Sequence, residues 1–172
     1  MSGRVAALLV AAIFALDQYT KHLVVRRWTV GDSLPLIPDF FSLTYVRNRG
    51  GAFGMLADLP EGWRVGFFVL FAVATVAALL WMLRSTPRSD VVQRTAIASV
   101  IGGAVGNLLD RVRYGEVVDF LDVYVGDWHW PAFNVADSFI SCGIVLLLIA
   151  SLRTPREDET GGLPARRGAP PL

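Results

Sequence analysis

The chain has 172 residues, of which 53% are hydrophobic and 18% are charged, and its formal net charge at pH 7 is +1. Its mean hydropathy of +0.48 is too high for an ordinary soluble domain, and the apolar residues occur in blocks, so we predict one integral membrane domain. The low net charge, without a basic stripe of interleaved aromatic residues, argues against a nucleic-acid partner. The single cysteine, Cys142, lies in an apolar run and is interpreted as a packing residue.

The first apolar block is similar to a secretory signal, because Arg4 precedes an apolar run at 5–16. Cleavage of this segment is therefore the alternative interpretation. The helical pattern continues through Asp17 to residue 25, however, a length that would span a bilayer, whereas 5–16 alone would not. Asp17 and Lys21 are four residues apart, so they share a helix face and can pair. We predict a retained membrane span over residues 5–25.

A polar connection follows at residues 26–62, and alternation at 41–46 predicts a strand within it. The segment after this strand, 47–54, contains Asn48 and Gly50. Because glycine lets the backbone approach a ligand closely, this segment is a candidate binding loop. An ordinary turn after a strand is the alternative.

The next two apolar blocks are predicted to span the membrane at residues 65–83 and 95–111, and a short basic link joins them. The second of these spans contains Gly102 and Gly106. Small residues at this spacing permit close packing between helices.

One face near the end of the third span is polar. Gly103, Asn107 and Arg111 recur every four residues, so an amide and a guanidinium point the same way. Asp110 lies beside this face and is expected to cap or pair locally, without a chemical role.

A second β-like connection precedes the fourth span. Residues 117–125 are β-branched and aromatic and predict a strand, Gly126-Asp127 predicts a tight turn, and 128–133 is expected to form the returning strand. Residues 136–152 form the fourth predicted span. The tail at 153–172 is rich in Pro, Gly, Arg and Glu and is expected to be disordered and cytoplasmic.

The predicted fold is an α-helical integral membrane protein: residues 1–152 form one domain of four transmembrane helices with a small extracytoplasmic β-like cap. An even number of spans places both termini on one side. The arginines are divided between the two sides and do not decide the orientation cleanly. The link at 84–94 is short and rich in arginine, which favours a cytoplasmic location for it and for both termini.

Polar groups from distant parts of the chain converge at one membrane face on this topology. They are Asn48, Asn107, Arg111, Asp119, Asn134 and Asp137, and Asp17 and Lys21 near the end of the first span could join them. An acid at the mouth of a lipid-embedded helix is a functional hypothesis by default, and two acids that meet push their pKa values apart. One ionised carboxyl of such a pair deprotonates water, while the protonated one donates to the carbonyl or the leaving amide.

Other hydrolytic mechanisms lack support in the sequence. A His-Glu-x-x-His helix and a Gly-x-Ser-x-Gly elbow are both missing, and the only lysine, Lys21, has no serine singled out beside it. Two alternatives to catalysis remain open. Asp137 could cap the fourth span while Asp119 pairs with Arg111 or Arg113. The acids could also line a proton or ion pathway.

Five motifs in order connect this sequence to a known family. They are Asp17-Gln18-Tyr19-Thr20-Lys21, Asn48-Arg49-Gly50-Gly51-Ala52-Phe53, the segment 102–111, Val117-Val118-Asp119-Phe120 and Phe133-Asn134-Val135-Ala136-Asp137. With these motifs the chain resembles the lipoprotein signal peptidases, also called signal peptidase II, of bacterial inner membranes. The resemblance covers the first span into the fourth and does not extend to the tail after Leu152.

The resemblance implies an aspartic endopeptidase in which Asp119 and Asp137 form the catalytic dyad. The implied partners are diacylglyceryl-modified prolipoproteins, which are cleaved just before the lipidated cysteine, and membrane lipid. It implies no metal or organic cofactor, both termini cytoplasmic, an active site near the extracytoplasmic face, and sensitivity to the cyclic peptide globomycin. We separately expect the protein to function as a monomer. The supporting residues around the dyad are expected to be Asp17, Lys21, Asn48, Gly50, Asn107, Arg111 and Asn134.

Overall fold

The computed structural model describes residues 1–51 and 55–153, so most of the tail at 153–172 lies outside the described residues, as do residues 52–54 of the predicted loop. Four long helices dominate the chain. They are α1 (Gly3–Arg27), α2 (Glu61–Ser85), α3 (Val91–Tyr114) and α4 (Val135–Arg153). Each helix contains one predicted span and extends past it at both ends, because the helical backbone continues into the residues that flank the apolar segment.

Three of these helices are long and apolar enough to cross a membrane: α1, α2 and the Val135–Leu152 part of α4. Helix α3 differs because it lies at the centre and packs against each of the other three. Buried polar side chains such as Arg94, Asn107 and Asp110 lower its hydropathy. A helix that faces protein rather than lipid accommodates such residues when they have partners.

The glycines of α3 let its neighbours approach closely, as the sequence predicted for Gly102 and Gly106. A Cβ at Gly102 would lie 2.9 Å from the Cβ of Ile13 on α1. A Cβ at Gly103 would collide with the carbonyl oxygen of Ala136 on α4, and one at Gly106 would collide with the Asp17 carboxylate. These glycines therefore set the distances between the helices that carry the polar groups.

A four-stranded antiparallel sheet caps one end of the helices, in the order β1 (Ser33–Ile37), β2 (Phe41–Asn48), β3 (Val117–Val125) and β4 (Trp128–His129). Strands β2 and β3 confirm the predicted strands. The turn at Gly126 is also confirmed, with a φ of +58° that favours glycine.

Two features of the sheet differ from the prediction. Strand β1 was not predicted, because it contains Pro35 and all five of its residues are exposed, so it lacks the alternation of a half-buried strand. The returning strand, expected over 128–133, ends at His129, although Phe133 forms an isolated bridge with Leu121.

Candidate active site

Asp119 enters the site from the buried half of β3, and its side chain is 2% exposed. Both carboxylate oxygens accept hydrogen bonds from amides. Asn48, at the end of the neighbouring strand β2, donates at 3.0 Å, and Asn134 donates at 2.7 Å. Within the described residues Asp119 forms no ion pair, so the alternative pairing with Arg111 or Arg113 is not observed.

Asp137 lies in the first turn of α4 and makes reciprocal bonds with Asn134, the residue before the helix. The Asp137 backbone N–H donates to the Asn134 side-chain oxygen at 2.9 Å, and the Asn134 backbone N–H donates to the Asp137 carboxylate at 3.2 Å. This is a capping box in which Asn134 is the N-cap. The other carboxylate oxygen of Asp137 accepts from Asn107 at 2.8 Å. One carboxylate oxygen of Asp137 therefore caps the helix, and the other takes part in the hydrogen-bond network of the site.

Two amides join the carboxyl groups of Asp119 and Asp137 into one network. The Asn134 side-chain nitrogen donates to the Asp119 carboxylate at 2.7 Å and to the Asn107 side-chain oxygen at 3.2 Å. The side-chain nitrogen of Asn107 in turn donates to the Asp137 carboxylate. Asn134 is fully buried. A buried amide with every polar atom bonded holds a fixed orientation, so the two acids are positioned relative to each other.

A buried ionic cluster of Lys21, Asp17 and Asp110 lies beneath this network. The Lys21 ammonium lies 2.9 Å from each carboxylate and donates to the Asn107 oxygen at 2.8 Å. The predicted pairing of Asp17 with Lys21 is confirmed. Asp110, which was expected to cap or pair locally, also forms a long-range pair: it reaches Lys21 on another helix and accepts the backbone N–H of Val118 at 3.2 Å, next to Asp119. The sequence pattern does not show which residue of α1 packs opposite Asp110 of α3.

Asp17 and Gln18 tie the ionic cluster to the start of α4. Asp17 accepts the backbone N–H of Ala136 at 3.0 Å, which satisfies a donor at the helix N-terminus. Gln18 lies within 3.2 Å of both carboxylates of the cluster and of the Gly106 carbonyl. Sequence reasoning missed Gln18 as a supporting residue, although it lies within the first motif.

Arg111 and Gly50 hold the loop after β2 against the site. Arg111 donates to the Gly50 carbonyl at 3.2 Å, and its guanidinium lies 4.8 Å from the centre of the Phe68 ring on α2. The Gly50 N–H donates to the side-chain oxygen of Asn48 at 2.9 Å. Arg111 therefore connects three elements near the two acids, and Gly50 orients Asn48 toward Asp119.

A cavity of about 520 Å³ opens at the two acids, and we call it the dyad cavity. Its polar lining consists of Asn48, Asn107, Arg111, Asp119, Asp137, Ser138 and Ser141. The remaining walls come from Gly51, Val117, residues 130–133, Ile140 and Cys142. Cys142 is exposed on α4 and lines this cavity, so its interpretation as a packing residue was wrong. A run that is apolar all round does not reveal which face meets a cavity.

Burial first, and then the negative charge of Asp137, raise the pKa of Asp119 from 3.8 to about 7, while the hydrogen bonds from Asn48 and Asn134 act in the opposite direction. Near neutral pH the site therefore holds a proton that an exposed carboxyl would have released. Among the described residues, no group of three or more His, Cys, Asp or Glu side chains is arranged to hold a metal ion.

The model of the family described as signal peptidase (SPase) II matches residues 9–153. The lipoprotein signal peptidase of Syntrophotalea carbinolica is 49% identical over 150 residues, which cover 87% of this chain and 92% of that one. The lipoprotein signal peptidase of Syntrophus aciditrophicus is 43% identical, with 86% of this chain and 91% of the relative covered. A solved bacterial membrane enzyme superposes with a TM-score of 0.79 at 30% identity, covering 96% of both chains. The chain belongs to the signal peptidase II family.

Proposed function

We propose that this protein is a membrane aspartic endopeptidase that removes the signal peptide from diacylglyceryl-modified prolipoproteins by cleaving just before the lipidated cysteine. The family membership supports the class of reaction. The observation that carries the assignment of residues is that Asp119 and Asp137, from a strand and a helix, line one cavity and are joined by two buried amides.

The dyad acts as an acid and a base. The ionised carboxylate takes a proton from water while the water oxygen bonds to the scissile carbonyl carbon, and the protonated carboxyl donates to the carbonyl oxygen. The carbon–nitrogen bond then breaks, and the departing nitrogen takes a proton from the dyad. The raised pKa of Asp119 supports this scheme, because it retains one proton in the pair near pH 7.

The supporting residues keep the two carboxyls in position. Asn48, Asn107 and Asn134 donate to them directly. Lys21, held by Asp17, donates to Asn107 and adds a positive charge that favours ionisation of one acid. Arg111 and Gly50 hold the loop that carries Asn48.

The lining of the dyad cavity suits a peptide that is anchored by lipid. One part carries the acids and amides, and another is formed by apolar and small side chains of α4 and of the segment before it. A lipidated cysteine would place its acyl chains along α4 in the bilayer and its preceding peptide bond at the acids.

The membrane arrangement that fits this substrate has all four helices crossing the inner membrane of a bacterium, including the protein-enclosed α3. The sheet and the dyad lie at the extracytoplasmic face, and both termini lie in the cytoplasm with the arginine-rich link between α2 and α3. The site is built from one chain, and the enzyme acts as a monomer.

Cleavage of a diacylated precursor by the purified protein tests this function. Asp119→Asn and Asp137→Asn should each reduce the rate by roughly 10²–10⁴-fold or more, since each removes the general acid or base. Asp122→Asn is the matched control, because Asp122 lies on the same strand and bonds to His129 outside the cavity. Globomycin should inhibit the wild type, and an unlipidated precursor should remain uncut. A near wild-type rate for either dyad variant would remove that residue from the mechanism.

A further inference from the structure

A second cleft, of about 640 Å³, lies between α1, α2 and α3, and we call it the arginine-lined cleft. It exists because α1 and α2 both pack against α3 but make almost no contact with each other. It is lined by Gly3, Ala7, Val10, Ala11, Phe14, Leu80, Leu83, Arg84, Thr86, Arg88, Arg94, Ile101 and Val105. None of these residues belongs to the dyad cavity.

The apolar part of the arginine-lined cleft has the length of a lipid chain in one leaflet. Along α1 the lining runs from Gly3 to Phe14, and along α3 it runs from Arg94 at the charged end to the apolar Ile101 and Val105. Each stretch rises about 16 Å at 1.5 Å per residue. Half of a hydrocarbon core is about 15 Å thick. Between these helices only small and aliphatic side chains and one phenylalanine meet the cleft.

The charges of this cleft lie at one end, where α2 ends and α3 begins. Arg84 and Arg88 are exposed there, and in the part of the chain that the structure describes neither forms an ion pair. Arg94 is only 6% exposed and donates to the Leu83 and Thr86 carbonyls, which caps α2. Its buried Nε has no hydrogen-bond partner among the described residues. Among the residues that the structure describes, none that lines the cleft is acidic.

We propose that the arginine-lined cleft binds one anionic phospholipid, with its phosphate at Arg84 and Arg88 and an acyl chain between α1 and α3. Basic pockets between transmembrane helices bind anionic headgroups because the bilayer supplies the ligand at high local concentration and the apolar walls hold its chains. The site lies apart from the dyad and does not depend on the peptidase function.

Lipid binding to the full chain in detergent tests this proposal. Phosphatidylglycerol and phosphatidylcholine with equal acyl chains are titrated, and bound lipid is counted by native mass spectrometry. The wild type should bind one phosphatidylglycerol in preference to phosphatidylcholine. Arg84→Gln and Arg88→Gln should each weaken that binding about fivefold, since one arginine near an anionic lipid contributes about that factor. Arg4→Gln is the matched control, because Arg4 is exposed at the same end of α1 but does not line the cleft.

A second variant tests the proposed acyl-chain site independently of the arginine charges. Ala11→Phe fills the apolar part and should reduce phosphatidylglycerol binding with all arginines in place, while cleavage of the lipidated precursor reports that the protein remains folded. Three results would overturn the proposal. They are equal binding of both lipids, an equal loss in Arg4→Gln, and complete displacement of the lipid by inorganic phosphate.

Discussion

Asp119 is a carboxyl group that the fold keeps protonated far above the pH at which an exposed aspartate ionises. Its pKa rises from 3.8 to about 7, first through burial and then through the charge of Asp137. The folded protein therefore binds more protons at this residue than the unfolded chain does between about pH 4 and about pH 7. By linkage, the contribution of Asp119 to stability is present below pH 4 and is lost as the pH rises to about 7.

This linkage predicts a difference in pH dependence between the wild type and Asp119→Asn. The free energy of unfolding of the wild type, measured in detergent micelles from pH 4 to pH 8, should fall more steeply with rising pH than that of the variant, which has no proton to lose at this position. Equal slopes in the wild type and Asp119→Asn would contradict the raised pKa.

The ion pairs of Lys21 and the ion pair of Arg49 differ in burial and should differ in energy. Lys21 with Asp17 and Asp110 is almost fully buried, whereas Arg49 in its pair with Glu116 is 66% exposed. Lys21→Gln should reduce the free energy of unfolding by roughly 3–5 kcal/mol, since it leaves buried carboxylates without a counter-ion. Arg49→Gln should cost only about 0–1 kcal/mol. Comparable losses in the two variants, measured by denaturant unfolding, would show that the buried cluster is not ionic.

At the scale of elements, the other three helices all pack against α3, and its glycines allow α1 and α4 to approach it closely. Gly103→Ala should push the Ala136 carbonyl and the first turn of α4, which carries Asp137. We expect a loss of stability of about 1–3 kcal/mol from overpacking, together with slower cleavage of the lipidated precursor.

Gly66→Ala is the matched control for this prediction. Gly66 lies within α2, and a Cβ there would meet nothing within 4 Å. This change should leave cleavage intact and stabilise the helix by up to about 1 kcal/mol. Thermal unfolding and cleavage of both variants check the pair. An unchanged Gly103→Ala protein would mean that α3 and α4 can separate without cost.

The elements that the sequence predicted well are those with strong local patterns. Apolar blocks located all four helices, and β-branched alternation located β2 and β3. Strand β1 escaped prediction because its pairing depends on Phe41–Asn48, which offers it a partner edge, and not on its own exposed residues. The helix ends extended past the apolar blocks because capping residues such as Asp90 and Asn134 determine where a helix begins.

The sequence allowed us to predict most residues of the candidate site, but not the hydrogen bonds and ion pairs that connect them. Asp119, Asp137 and the asparagines stand in recognisable motifs. The partners of Asp110 and Gln18 depend on which faces of α1 and α3 meet, and that is set by glycine contacts that single residues do not reveal. That Cys142 faces the dyad cavity was not predictable either, because the residues around it are apolar on every face of α4.

At the scale of the whole molecule, the proposed function requires the dyad cavity to admit a lipidated peptide from the side of α4. Cys142→Trp would fill the wall of this cavity and should raise the KM for a diacylated precursor several-fold while leaving the fold intact. Leu148→Trp is the matched control, since Leu148 is 59% exposed on the same helix and lies outside the cavity. Steady-state cleavage kinetics distinguish the two. An equal KM in both variants would place the substrate elsewhere.

The capping box of α4 has a consequence for the order of events during biosynthesis. Asp17, Asn107 and Asp119 are all made before Asn134 and Asp137, yet each of them has one hydrogen bond that only the start of the last helix completes. A nascent chain that has not yet inserted α4 therefore has incomplete hydrogen bonding at these three residues and no assembled dyad. We expect the enzyme to remain inert on the ribosome and to become active in a single step, when its final helix enters the membrane.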